Sequence, residues 1–229
     1  MKMNTQMHNC PFCSDNRKSF LRENHYEVDK AYFYEDEYFS ISPDISPLVL
    51  GHLLVIPSTH YSCFGEITNE KMLSKIKDVT EWLLGTSDLF CFEHGAVVEG
   101  KGGASINHAH LHVMPRPRDL DENTIDKFLK KEGCIYSKKM HAQHGVLHDC
   151  FLKNQPYIYY KINGNNFVYP VDNPPHQLLR MLLQPYCNIS YNWKKVYKSI
   201  ESIRNYLNTI DYIYRIHPNS LEFNKSIIL

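Results

Sequence analysis

Apolar and polar positions in the first half of the chain fall into short runs separated by turn residues. Ala31-Tyr-Phe-Tyr-Glu-Asp-Glu-Tyr-Phe-Ser-Ile41 is rich in aromatics and divided by an acidic stretch at Glu35 to Glu37, which predicts a hairpin. Gly51-His-Leu-Leu-Val-Ile-Pro57 is a continuous apolar run of strand length, as expected for a buried strand. Met72, Ile76, Val79 and Leu83 then share one helical face, with Thr68 placed to cap that helix and Gly85 to stop it. Leu89 to Glu93 predicts another strand. Gly100, Gly102 and Gly103 form a flexible loop, and a strand is predicted from Ser105 to Met114, ended by Pro115 and Pro117. Strands, one long helix and further strands make the fold class α+β.

Beyond Arg118 the texture changes. Charged residues over 119–132 predict a surface helix, and the segment from His141 to Cys150 fits no period clearly. Tyr157 to Ile162 and Phe167 to Val171 flank Asn163-Gly164-Asn165-Asn166, a strong hairpin signal. Pro174 and Pro175 are placed to open a helix that Pro185 closes. Trp193, Tyr197, Ile200, Ile203 and Leu207 mark a last amphipathic helix. Residues 1–118 are expected to form the catalytic unit, with 119–229 a mixed α/β extension packed on it rather than an independent domain.

Composition narrows the class. The 229 residues are 43% apolar and 22% charged, which argues against disorder and allows a core that needs no disulfides. Lys and Arg number 25 and Asp and Glu 25, so zero net charge excludes a strongly basic nucleic-acid coat and leaves only local basic patches. No apolar run approaches the ~18–20 residues of a membrane span, and Met1 to Cys10 lacks a signal-peptide centre. Of the 7 cysteines, an odd number, only Cys10 and Cys13 are closely spaced. That suits a reducing compartment, with the pair binding metal rather than forming a disulfide. The expectation is a cytoplasmic protein.

The histidines carry the chemistry. In Asn107-His-Ala-His-Leu-His-Val-Met114, three histidines alternate with apolar residues. On a strand His108, His110 and His112 would share one face while Ala109, Leu111 and Val113 enter a core. Three aligned imidazoles pack poorly but serve well as ligands, bases or nucleophiles.

This pattern resembles the histidine-triad (HIT) family. Two further segments strengthen the resemblance: Asp44-Ile-Ser-Pro leading into Gly51-His-Leu-Leu-Val-Ile-Pro57 and His60, and Cys10-Pro-Phe-Cys13 near the start. The resemblance implies an HIT-like fold, an antiparallel sheet with a long helix, and a nucleotide as substrate. It implies that His110 attacks the α-phosphorus to form a covalent nucleotidyl-histidine. His112 would support the phosphate and leaving group, Ser105 and the backbone at Gly102 and Gly103 would bind phosphate, and Asp44 would hold the ribose hydroxyls. Gly103-Ala104 departs from the family's Gly-Gln and loses a side-chain contact to phosphate. Phe92-Glu-His-Gly95 is similar to a segment of galactose-1-phosphate uridylyltransferase, which places Glu93 and His94 in the substrate pocket. A homodimer, common in smaller relatives, is a further expectation.

For the metal, a Cys-x-x-Cys pair supplies two of the four ligands of a tetrahedral Zn²⁺. The resemblance implies His60 and His108 as the others and a structural zinc, with His8 the competing ligand. A second group, Cys134, His141, His144, His148 and Cys150, reads better as a solvated histidine-rich helix than as a metal site. In the extension, Pro174-Pro-His-Gln-Leu-Leu-Arg180 and Tyr191-Asn-Trp-Lys-Lys195 are similar to extensions of longer bacterial HIT-like proteins. Gln177 and Arg180, three apart on a helix, are placed to complete the pocket, since Arg suits bidentate phosphate or carboxylate recognition. The expected activity is nucleotide hydrolysis at a phosphoanhydride or phosphoramidate. The alternative is nucleotidyl transfer to a small phosphate acceptor. Neutral charge argues against a role on nucleic acid, and the intact triad against a non-catalytic binding module.

Overall fold

The computed structural model describes residues 10–101, 103–134, 140–141, 144–172, 174–187 and 199–218. Its elements are α1 (Ser14–Glu23), β1 (Tyr34–Glu35), β2 (Phe39–Pro43), β3 (Leu53–Pro57), α2 (Glu70–Leu84), β4 (Leu89–Gly95), β5 (Leu111–Pro115), α3 (Glu122–Lys131), β6 (Met140–His141), α4 (His144–Leu152), β7 (Tyr157–Ile162), β8 (Asn165–Pro170), α5 (Leu178–Leu183) and α6 (Ile200–Ile216). The strands form one eight-stranded antiparallel sheet in the order β1-β2-β3-β5-β4-β7-β8-β6. The fold is α+β, with helices on both faces of that sheet.

Alternation sorts the residues of each strand between two layers. Leu53, Val55, Cys91 and Val113 join the cluster under α2 and α6. Phe90, Phe92, Ile158, Tyr160 and Phe167 join another, covered by Leu129 of α3 and by Leu178, Leu179, Leu182 and Leu183 of α5. The hairpin β7–β8 is closed by Asn163 and Gly164, both at positive φ, with Ile162 opposite Asn165, the two-residue turn that matches strand twist. That hairpin pairs with the outer edge of β4, so the sheet runs without a break from the first half of the chain into the extension.

Several boundaries differ from those expected. Asn69, not Thr68, caps α2: its side chain accepts from the Met72 N–H at 3.1 Å. The triad strand begins at Leu111 rather than Ser105. Its last partner on β3 is Val55, and beyond that point the Pro57 carbonyl is taken by the His108 ring. α5 begins at Leu178, three residues after Pro175, behind a left-handed Gln177.

The last helix buries Ser202, Tyr206, Thr209, Ile210 and Ile213. Ile200 is 77% exposed and Leu207 42%, so the expected apolar stripe is displaced around the helix. The true stripe is partly polar: Tyr26 and Ser202 share a hydrogen bond, and the Tyr206 hydroxyl donates to the Glu27 carbonyl. Trp193 and Tyr197, like the rest of Tyr191 to Lys195, lie outside the described residues, as do Gly102 and His8.

The histidine-rich segment is not a solvated helix. His141 lies in β6, Leu147 and Cys150 of α4 pack beside Cys63 and Tyr157, and Cys134 is buried in a different cluster. The His148 ring donates to the Gly65 carbonyl at 2.9 Å. The side chains of His141 and His144 are outside the described residues.

Candidate active site and metal centre

The two histidine-bearing strands form the floor of the site. Phe92 of β4 and Leu54 of β3 lie directly across from His112 of β5, and the Phe92 ring stacks on the His112 imidazole at 4.2 Å. Above this floor opens a cleft of about 400 Å³, inside the ~300–1,000 Å³ range of small-molecule sites. Asp44, His94, Ser105, His110, His112, Gln177 and Arg180 all line it, together with apolar Phe12, Phe20 and Ile45. Residues 136 apart in sequence therefore meet there, Arg180 donating to Asp44 Oδ2 at 2.9 Å.

Glu93 is not among them. Neighbours along a strand face opposite ways, so while Phe92 and His94 lie on the cleft side of the sheet, His94 lining the cleft itself, Glu93 turns to the other layer. There it accepts from the Phe64 N–H at 2.8 Å and from the Tyr157 hydroxyl at 2.6 Å. Burial pushes its pKa up to about 7.

Hydrogen bonds fix the imidazole tautomers. His110 Nδ1 lies 2.7 Å from the His108 carbonyl, which can only accept, so Nδ1 carries the proton and Nε2 keeps its lone pair. The Leu48 N–H donates to His52 Nδ1 at 3.1 Å, which puts the His52 proton on Nε2. That N–H faces His112 Nδ1 at 3.0 Å, so the proton of neutral His112 sits on Nε2. His94 Nε2 accepts from the Leu179 N–H at 3.3 Å, leaving its proton on Nδ1. His110 thus offers a bare nitrogen, and its neighbour His112, 5.3 Å away between ring centres, offers a donor. His52, buried and unassigned by sequence reasoning, directs this relay; its place in Gly51-His52 beside the apolar run was the available signal.

Electrostatics keep the rings neutral. Burial lowers the pKa of His110, holds those of His94 and His112 well below the ordinary imidazole value, and takes His52 to about 3. Burial alone would raise the Asp44 carboxyl, but the Arg180 guanidinium leads the groups that outweigh it and hold Asp44 well below the usual carboxylate range. Asp44 is 3% exposed and also accepts from the Ser46 N–H at 2.7 Å; Arg180, 5% exposed, donates as well to the Ser46 carbonyl. Asp44, His52 and His112 lie close enough to hold an ion, yet their atoms are engaged with one another and with a buried guanidinium. They form a relay rather than a metal site.

A separate cluster does suit a metal. The Cys10-Pro-Phe-Cys13 turn closes through the Cys13 N–H on the Cys10 carbonyl at 3.2 Å and leads directly into α1. His60 follows β3, and His108 precedes β5. Their ligand atoms all lie within 4.8 Å of one another: Cys10 Sγ to His108 Nδ1 is 3.5 Å, Cys13 Sγ to His60 Nδ1 is 3.3 Å, and Cys13 Sγ to His108 Nδ1 is 3.8 Å. His108 Nε2 donates to the Pro57 carbonyl at 3.0 Å, so Nδ1 is the free lone pair and faces both sulfurs. Burial brings His108 to about 4, the neutral form a metal ligand needs.

The HIT domain model matches residues 25–119, which takes in Asp44, His60 and the whole triad but stops short of α5. An uncharacterized HIT-like protein of Methanocaldococcus jannaschii is 33% identical over 93 residues, 39% of this chain and 71% of the relative. The HitA protein of Neisseria gonorrhoeae is 30% identical over 118 residues, 48% of this chain and 99% of the relative. An adenylylsulfatase of Arabidopsis thaliana is 24% identical over 116 residues, 49% of this chain and 52% of that protein. Among the described residues no helix is long and apolar enough to cross a membrane. With its triad, its sheet and nearly three quarters of one relative's length aligned, the chain belongs to the HIT-domain family.

Proposed function

We propose that this protein is a nucleotide hydrolase that cleaves a phosphoanhydride or phosphoramidate bond through a covalent nucleotidyl-His110. The observation that carries the reading is the bond from His110 Nδ1–H to the His108 carbonyl, which leaves Nε2 unprotonated at the cleft. A neutral imidazole nitrogen is a competent nucleophile near pH 7. Nε2 attacks the α-phosphorus, a P–N bond forms, and the bond to the leaving group breaks, its electron pair departing with that group. Water then attacks the same phosphorus, and the P–N electron pair returns to Nε2. His112 Nε2–H donates to the oxygens that gain charge, and the relay through His52 holds that donor in place. Asp44 holds the ribose hydroxyls with the lone pairs left after Arg180 and the Ser46 N–H, and His94 lines the same pocket. The adenylylsulfatase name of the Arabidopsis relative agrees with a nucleotidyl bond as the target.

We assign a structural zinc to Cys10, Cys13, His60 and His108. Zn–S of about 2.3 Å and Zn–N of about 2.0–2.1 Å in a tetrahedron require ligand-to-ligand edges of roughly 3.3–3.8 Å. The three spacings of 3.3, 3.5 and 3.8 Å fit that figure. Bound there, the ion would supply a cross-link between the start of the chain and the two strand ends, with four protein ligands and no open position. The chemistry of His110 does not pass through it.

A nucleotidyltransferase is the second reading, favoured because Gln177 and, in α5, Arg180, both outside the matched domain, line the cleft and so offer an acceptor a place. Incubation of labelled nucleotides with and without small phosphate acceptors separates the two. A hydrolase yields only the monophosphate, whereas a transferase yields a new conjugate. Absence of any turnover across the nucleotide panel would refute both.

A further inference from the structure

We infer that Gln177 is a phosphate-binding, specificity-determining residue that acts as one donor pair with Ser105; this deepens the nucleotide reading above and rests on it. The loop of residues 103–106 forms one wall of the cleft, and Gly103, Ala104 and Ile106 bring no polar side chain to it. Ser105 is the polar member of that wall. Its Oγ accepts from Gln177 Nε2 at 2.8 Å, so the hydroxyl proton points away from the amide and is available to a ligand. The amide has a second N–H. A hydroxyl and an amide side by side therefore present two neutral donors, and the carboxylate lining the same cleft, Asp44, is paired with Arg180. Such a pair is matched to the anionic oxygens of a phosphoryl group held against His110.

The contact is built by the backbone on both sides. The Gln177 N–H donates to the Gly103 carbonyl at 3.0 Å, and the Gln177 carbonyl accepts from the Arg180 N–H at 2.9 Å and the Met181 N–H at 3.2 Å. Gly103 has φ +74°, and a Cβ there would meet the Pro175 carbonyl oxygen at 2.8 Å, so only glycine allows the loop and the Pro-Pro segment to approach this closely. Three residues further on, Arg180 anchors α5 to Asp44. The extension is thereby clamped to the phosphate wall at Gly103 and to the floor at Asp44, with Gln177 between. A site confined to residues 25–119 would have Ser105 without its amide.

The test measures binding of AMP, GMP, UMP and CMP, each beside its nucleoside, by calorimetry on the full chain. Gln177→Met and Gln177→Glu both remove the N–H donors while keeping side-chain length; the first adds no charge, and thermal melts confirm that each variant folds. The expected result for both is a loss of monophosphate affinity of about ten-fold or more, with nucleoside affinity unchanged. Adding Ser105→Ala to Gln177→Met should cost less than the two single changes together, because the residues act as a pair. Equal losses for monophosphate and nucleoside, or no loss for either, would overturn the inference. A wild-type protein that binds none of the monophosphates would instead overturn the nucleotide reading on which it rests.

Discussion

Replacing Arg180 by methionine keeps much of the side-chain length but strands the Asp44 carboxylate. Both residues are about 5% exposed at their side chains, and the pair is 2.9 Å apart. Removing one member of a buried pair typically costs about 3–5 kcal/mol, because the survivor stays desolvated and uncompensated. For a chain of this size each kcal/mol lowers Tm by roughly 2–4 °C, so Arg180→Met should melt about 6–20 °C lower at pH 7. The sign with pH follows from Asp44. Its carboxyl is held well below the ordinary 3.8, so its contribution is fully present above that value and is lost as pH falls toward the folded-state pKa. The gap between wild type and variant should therefore be widest near neutrality and narrow below pH 3.8. Asp44→Asn combined with Arg180→Met should recover much of the loss, since no buried charge remains. Thermal melts of wild type, Arg180→Met, Asp44→Asn and the double variant from pH 3 to pH 8 provide the assay. A single variant within about 0.5 kcal/mol of wild type, the range of ordinary surface substitutions, would refute the argument. So would a double variant as unstable as the two single losses added.

Three other outcomes follow from the same geometry. Purified protein should carry one zinc per chain by elemental analysis, and Cys10→Ser with Cys13→Ser should lose both the metal and much thermal stability; metal-free protein with an unchanged melt would contradict the assignment. Glu93, raised to about 7 from 4.5, binds its proton more tightly when folded, so stability should fall as pH rises through that window, by up to about 3 kcal/mol. Glu93→Gln should flatten that slope, and an unchanged slope would show that the carboxyl does not titrate there. His52→Leu should cut turnover by about a hundred-fold through a misdirected His112, with His52→Gln retaining more because an amide can still accept from Leu48 and donate to His112; equal losses would exclude the relay.

How far the sequence revealed the site depended on whether a signal was local. The hairpin at Asn163-Gly164, the face of α2 and the alternation of the triad depend on neighbours in sequence, and they are visible in the residue order. The beginning of β5 is not legible in the sequence, because it is decided by where β3 stops offering a partner, at Val55, 56 residues before Leu111. Glu93 and His94 are adjacent in sequence, and only the pairing of β4 tells which of them meets the cleft. The stripe of α6 is hidden from an apolar count because polar Ser202 and Thr209 are buried in it, Ser202 held there by its bond with Tyr26. His52 is not legible in the sequence, since a lone histidine in an apolar run looks like core until the fold brings Leu48 and His112 to its two nitrogens. Gln177 and Arg180 could be singled out by spacing, but their partners Ser105 and Asp44 are supplied by the fold.

The covalent step is the central claim, and intact-protein mass spectrometry tests it most directly. Wild-type protein mixed with a panel of nucleotides and quenched in base, which spares phosphoramidates, should gain the mass of one nucleotidyl group. Peptide mapping should place that group on His110. His110→Ala should fold and melt like wild type, keep its zinc, gain no adduct, and lose turnover by several orders of magnitude. An adduct that maps to another residue, or full turnover by His110→Ala, would contradict the account.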